Sequence, residues 1–194
     1  MLSEFLISFV TMFIVIDPFL SIPIFLRLTK GYSQRRKAKE AFIAVSVAGG
    51  LLLFFLFLGV IILDIMKISF SAFQIAGGLI LIIMGIQTIL NIGINKSSKQ
   101  MKGIVIGTPL LCGPGAMTTI VILAGHYGYF IPILASMLVL VITWLMLHYS
   151  ELLQRLFGDD ILDILSRVTG FLLAAMAVEF IFRGIEGLLE RFGY

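Results

Sequence analysis

The sequence predicts an all-α membrane protein of six transmembrane helices, built as two inverted three-helix repeats with helices one and four broken. Three observations predict it. Hydrophobic residues make up 60% of the 194 positions and charged residues 13%, with a mean hydropathy of +1.12. A soluble domain is about half apolar and about a quarter charged, and a chain this short has too little interior to hide the surplus. Six apolar stretches approach the roughly 20 residues that a helix needs to cross the hydrocarbon core. Two of the six carry helix breakers at matching places.

The first span runs from Phe5 to Leu26 and contains Asp17-Pro18 and Pro23. The second, Ala41 to Leu63, has no charge. The third runs from Ser69 to Leu90, the fourth from Ile104 to Ala124 and the fifth from Tyr129 to Leu147. The sixth is short as Val168 to Phe182, where Glu179 interrupts it, and becomes a full span when extended from Arg167 to about Leu188. Apolar residues run consecutively rather than alternating, which argues for helices over a membrane barrel. The connections are short and leave no room for a soluble domain, so residues 1–194 form one transmembrane domain. The longest connection, Glu151 to Ser166, is expected to hold a short interfacial helix carrying Leu152, Leu153, Leu156 and Phe157. No basic region precedes the first span, and no cleavable signal peptide is expected.

Lysine and arginine placement gives an orientation. Arg27, Lys30, Arg35, Arg36, Lys37 and Lys39 follow helix one, Lys96, Lys99 and Lys102 follow helix three, and Arg155 and Arg167 follow helix five. Those eleven of the fourteen basic residues predict three cytoplasmic loops and both termini outside, in the cell membrane. The net charge of +3 then reflects loops that face anionic headgroups, and no nucleic-acid partner is expected.

A shift of 96 residues carries Asp17-Pro18 onto Gly113-Pro114. A shift of 92 carries helix three onto helix six, so that Gly78 meets Gly170, Met84 meets Met176 and Gln87 meets Glu179. The chain therefore divides into halves of about 1–95 and 96–194. Three spans is an odd number, so the second half enters the membrane the other way up. Inverted repeats with broken helices at equivalent places are the usual plan of secondary transporters, with the solute site at the breaks.

Proline removes a backbone donor and glycine frees the chain to turn. Unpaired backbone at bilayer depth survives only inside protein or beside water. Asp17 reads as a substrate or proton ligand beside the first break, or as the cap of a half-helix starting at Pro18, and the two roles are compatible. Ser21 lies one turn on. Gly113, Pro114 and Gly115 read as the start of a second half-helix whose free N–H groups face a solute carboxylate, with Thr118 and Thr119 adding hydroxyls, or as a passive kink. Gln87 and Glu179 are candidates for ion or proton coupling. Glu179 also has Arg183 one turn on as an ion-pair partner. Gln74 and Asn91 are expected at the membrane interfaces. Trp144 and Tyr149 fit an interfacial belt.

Several function classes drop out. One cysteine, Cys112, forms no intramolecular disulfide and no cluster ligand set. His126 and His148 fall at opposite ends of helix five and share no metal. There is no Walker A motif for ATP, and no base beside Asp17 for a hydrolase. No cofactor or metal is expected, and the chain reads as a transporter rather than an enzyme. A homo-oligomer, an exporter or membrane subunit for another solute, and a non-transporting accessory protein stay open.

Four segments carry a resemblance: DPFLSIPIFLRLT, FQIAGGLILIIMGIQ, PLLCGPGAMTT and TGFLLAAMAVEFIFRGI. Together they resemble the MarC family of integral membrane proteins over nearly the whole chain. That family includes transporters of small neutral amino acids, so the resemblance implies a glycine- or alanine-like solute and coupling to an ion gradient. The chain departs from the family at Phe19-Leu20-Ser21, where Leu/Ile-Gly-Asn is usual, and at Cys112, where Ala is usual. The first departure lies beside the expected site and bears on solute identity more than on fold.

Overall fold

The computed structural model describes residues 1–90 and 111–192. Every regular element among them is helical. Helix α1 spans Leu2–Ile16 and α2 Pro18–Leu28, with only Asp17 between them. Helix α3 spans Gln34–Met66 and α4 Phe70–Leu90. Helices α5 and α6 span Pro114–Tyr127 and Phe130–His148. Helix α7 spans Ser150–Phe192 and is kinked at Gly158 (φ 73°, ψ 166°).

Five helices among the described residues, counting α1 and α2 as one, are long and apolar enough to cross a membrane. The protein is therefore a multi-span helical membrane protein. The early part of the expected fourth span, residues 104–110, lies outside the described residues, as do Asn91 and the loop with Lys96, Lys99 and Lys102. The other five spans are present: the third and fifth match expectation to within one residue, and the first, second and sixth run longer than their apolar stretches. Helix α3 has 33 residues, about 50 Å at 1.5 Å per residue, because the basic segment Gln34–Lys39 continues the coil into the interface.

The short helix expected within the Glu151–Ser166 connection is present, and helix extends over the whole connection. That stretch is helix, broken once at Gly158 and running directly into the sixth span. An interfacial helix satisfies its own backbone while projecting charges into water. The first piece does carry exposed Leu152, Leu156 and Phe157, as an interfacial helix should. The carboxylate of Glu151 accepts from Gln34 Nε2 and Lys37 Nζ, which ties the start of α7 to the start of α3.

The broken span is the central one. In Leu2–Leu28, 56% of the most apolar window is buried, against 28% for both α3 and α4. Helices α1 and α2 pack on α5, α6 and α7, and α3 covers α5 and α6. Met12, Ile16, Phe25, Leu52, Leu56, Leu81 and Ile120 fill the core. The outward faces expose Phe42, Phe57, Leu79, Val141 and Phe182, as lipid contact requires. The most extensive interface joins α4 to α7. Small residues allow it: a Cβ on Gly85 would lie 2.8 Å from the Gly170 carbonyl, and one on Gly78 2.7 Å from the Ala177 carbonyl.

Of the side chains expected at the interfaces, Gln74 is buried and Trp144 half-buried. Gln74 is 2% exposed, and its Nε2 donates to His126 Nε2 across the α4–α5 contact at 3.0 Å. Trp144 buries its Nε1 without a partner among the described residues. Tyr149 is exposed.

Candidate functional site at the first helix break

Asp17 lies about 22 Å along the axis from Leu2, near the middle of its span. Its backbone is left-handed (φ 43°, ψ 74°), a conformation that costs a residue with a Cβ about 1–2 kcal/mol. The position is held from both sides. Asp17 N–H donates to the Phe13 carbonyl at 3.1 Å and closes α1. Its Oδ1 accepts from Leu20 N at 3.2 Å and opens α2, with Pro18 at the first helical position where no donor is needed. Ser21 Oγ donates to the Asp17 carbonyl at 3.0 Å. Asp17 is thus the helix cap that the sequence suggested.

The cap uses one oxygen only. The other, Oδ2, accepts from Ser166 Oγ on α7 at 3.0 Å, across 149 residues of chain. Ser166 is 2% exposed, and Thr169, one turn on, donates to the Ser166 carbonyl at 2.7 Å. No ion pair among the described residues includes Asp17, and no group of side chains there fits a metal ion. A buried carboxylate with only hydroxyl and backbone donors is costly to hold inside a membrane protein and usually marks function.

A cavity of about 200 Å³ opens beside this bond. Ser166 forms part of its wall, with Leu20, Pro23 and Ile24 of α2 and Leu162 of α7 supplying apolar surface. Pro23 does not end α2, contrary to a simple reading of a breaker. Its missing N–H leaves the Phe19 carbonyl without its usual helical partner. Drug-sized ligands need about 300–1,000 Å³, so this volume suits a solute of a few heavy atoms.

The second break is also present. Gly113 (φ −73°, ψ 173°) caps α5, and Pro114 is its first residue. Gly115 packs on α4, where an added Cβ would meet Met84 Sδ at 2.6 Å and Leu81 Cδ2 at 2.8 Å. Thr118 Oγ1 is 3.0 Å from both the Pro114 and Gly115 carbonyls, so its hydroxyl is satisfied locally. Thr119 differs: it is wholly buried, and its hydroxyl has no partner among the described residues. Helices α1 and α5 touch, but no hydrogen bond among the described residues joins Asp17, Pro18 or Ser21 to Gly113, Pro114, Gly115, Thr118 or Thr119. Gln87 is exposed on α4, and Glu179 is exposed on α7, where its Oε1 accepts from Arg183 Nε at 2.8 Å.

Sequence reasoning missed Ser166, Thr169 and the cavity. One signal was available. The 92-residue shift that aligns helix three with helix six places Ser166 on Gln74, a polar position matched to a polar position in two apolar helices.

The family model for MarC family integral membrane proteins matches residues 2–189. This chain belongs to the MarC family. A membrane protein of Archaeoglobus fulgidus is 33% identical over 95% of this chain and 93% of its own length. Another, MJ1677 of Methanocaldococcus jannaschii, is 33% identical over 97% of this chain and 98% of its own. The Bacillus subtilis membrane protein YvbG is 28% identical over 97% of each. No solved structure matches. The match to the MarC family covers Asp17-Pro18, Gly113-Pro114 and the glycines of the α4–α7 interface.

Proposed function

We propose that this MarC-family protein is a secondary transporter of small neutral amino acids such as glycine or alanine. Transport is coupled to an ion or proton gradient and proceeds by alternating access between two inverted halves. One observation carries the reading. The central span breaks at a buried carboxylate that is bonded across to α7, beside a cavity of small-solute size. A purely structural span gains nothing from that arrangement, since continuous apolar helix would be cheaper at the same depth. The inverted halves find support in the α4–α7 contact. Gly85 meets Gly170 and Gly78 meets Ala177, and the 92-residue shift exchanges those two contacts.

The decisive experiment is uptake of labelled glycine or alanine into proteoliposomes, with and without an imposed proton gradient. Gradient-driven uptake or counterflow is expected. Absence of both for every small amino acid defeats the proposal.

Two further outcomes are expected. Thr119→Val removes a buried hydroxyl that has no partner among the described residues, and such a replacement is expected to stabilise the protein by about 1 kcal/mol. With a solute-binding role for Thr119, uptake falls while the melting temperature rises or holds. A fall in both moves Thr119 out of the site. A reporter fused after Tyr194 is expected outside the cell, with the Gln34–Lys39 segment cytoplasmic. A cytoplasmic reporter reverses the orientation.

A further inference from the structure

The cavity beside Ser166 lies toward the basic loops. Its lining includes Arg27, in the last turn of α2, and Asp159, just past the kink in α7. At the other end of the bundle, α4 of the first half of the chain meets α5 of the second. Gln74 Nε2 donates to His126 Nε2 at 3.0 Å. The Phe70 ring meets the His126 ring edge to face, with centroids 5.5 Å apart. The same Phe70 ring packs on Gly125 so closely that it fills the space a Cβ would need. Phe70 and Gln74 sit in the first two turns of α4, and Gly125 and His126 in the last turn of α5. Gly184 of α7 packs on Ile75, beside Gln74. The stretch of α7 from Ser166 to Gly184 is about 27 Å long, so this contact and the cavity stand at nearly opposite faces of the membrane.

Gln74 is 2% exposed, whereas the other buried residues of α4 are Gly77, Gly78, Leu81 and Gly85. A buried carboxamide is costly unless it is bonded, and a leucine would fill the same contact with no need of a partner. His126 reaches the surface, so water can replace each group's partner once α4 and α5 part. Exchanging a protein hydrogen bond for bonds to water is close to balanced, while separating a dry apolar seam costs free energy in proportion to its area. A polar contact at this place makes closure reversible. We propose that Gln74 and His126, backed by Phe70 on Gly125, form the gate opposite the basic loops. It is shut while the Ser166 cavity is open and parts when that cavity closes. The gate rests on the alternating-access reading and assigns one of its two barriers.

Gate movement is read from thiol accessibility in the full chain, which needs no solute. In a Cys112→Ala background, a single cysteine replaces Ile122, wholly buried one turn inward of His126 and in contact with Gly77, or Ile24 in the cavity wall. A membrane-impermeant methanethiosulfonate is applied opposite the basic loops for position 122 and on the basic-loop side for position 24. His126→Ala leaves the Gln74 amide without its partner in the shut state. It is expected to speed labelling at position 122 about tenfold and to slow it at position 24 by a similar factor. His126→Gln, which can still bond Gln74, is expected to return both rates to the parent values. Faster labelling at both positions is general loosening and overturns the gate, as does no change at either. Should His126→Ala fail to fold, the pair Gln74→Cys/His126→Cys bridged by a short bis-methanethiosulfonate decides. Glycine uptake is expected to stop on bridging and return with a thiol reductant, and full uptake by the bridged protein overturns the gate. Reciprocal labelling without uptake of any small amino acid supports the gate and counts against the solute alone.

Discussion

Asp17→Asn is expected to cut the proposed transport sharply while the protein stays folded in the membrane. Asparagine caps a helix as well as aspartate does and accepts left-handed backbone nearly as readily. The bond from Leu20 N and the break at residue 17 therefore survive. What disappears is the negative charge toward Ser166. That carboxylate is the charge the proposed solute or proton would meet, so uptake is expected to fall at least about 10-fold, while weakening the bond to Ser166 costs the fold about 1 kcal/mol and lowers the melting temperature only slightly. Asp17→Leu is expected to do more. It loses the cap, about 1 kcal/mol, leaves the Ser166 hydroxyl buried without its acceptor, and puts a branched side chain where φ is positive. Folded yield then drops along with uptake. Ser166→Ala lies between: the cap is untouched, Thr169 still reaches the residue-166 carbonyl, and uptake falls while stability changes little. Full uptake by Asp17→Asn would leave the first break as architecture alone.

The largest structural effect is expected at the α4–α7 interface. Gly85→Ala drives a methyl to 2.8 Å from the Gly170 carbonyl and 3.0 Å from the Ala174 nitrogen, and Gly78→Ala drives one to 2.7 Å from the Ala177 carbonyl. These are backbone atoms, which cannot swing aside as a flexible side chain does. Overpacking costs about 1–3 kcal/mol per site. The double variant is expected to melt roughly 10 °C lower in detergent and to lose activity. Gly50→Ala is the control. It lies within α3, nothing stands within 4 Å of an added Cβ, and alanine is the better helix former by about 1 kcal/mol. Its melting temperature should hold or rise. Equal melting of all these variants would mean that α4 and α7 do not bind through their glycines.

The local features of the site were readable for local reasons. Asp17-Pro18 stops one helix and starts another through neighbours no more than four residues away, Phe13, Leu20 and Ser21. Gly113-Pro114 does the same for α5. Burial of the first span followed from neither hydropathy nor length, because every span is apolar. Its central place depends on which faces meet. The helix expected near residues 152–157 was legible, but its continuation into the sixth span was not, because hydropathy detects contact with lipid and not continuity of helix.

The amino-acid sequence by itself determined the membrane class, five of the spans, the family and the break at Asp17-Pro18, because each depends on composition or on bonds within one turn of chain. Tertiary structure decided that Asp17 answers to Ser166, that Thr119 is buried with no partner among the described residues, and that Gln74 turns inward to His126. In a chain whose helices are apolar on nearly every face, the hydrophobic pattern does not choose partners. Close backbone approach at glycine and the few buried polar groups make that choice, and they act only once the helices have met.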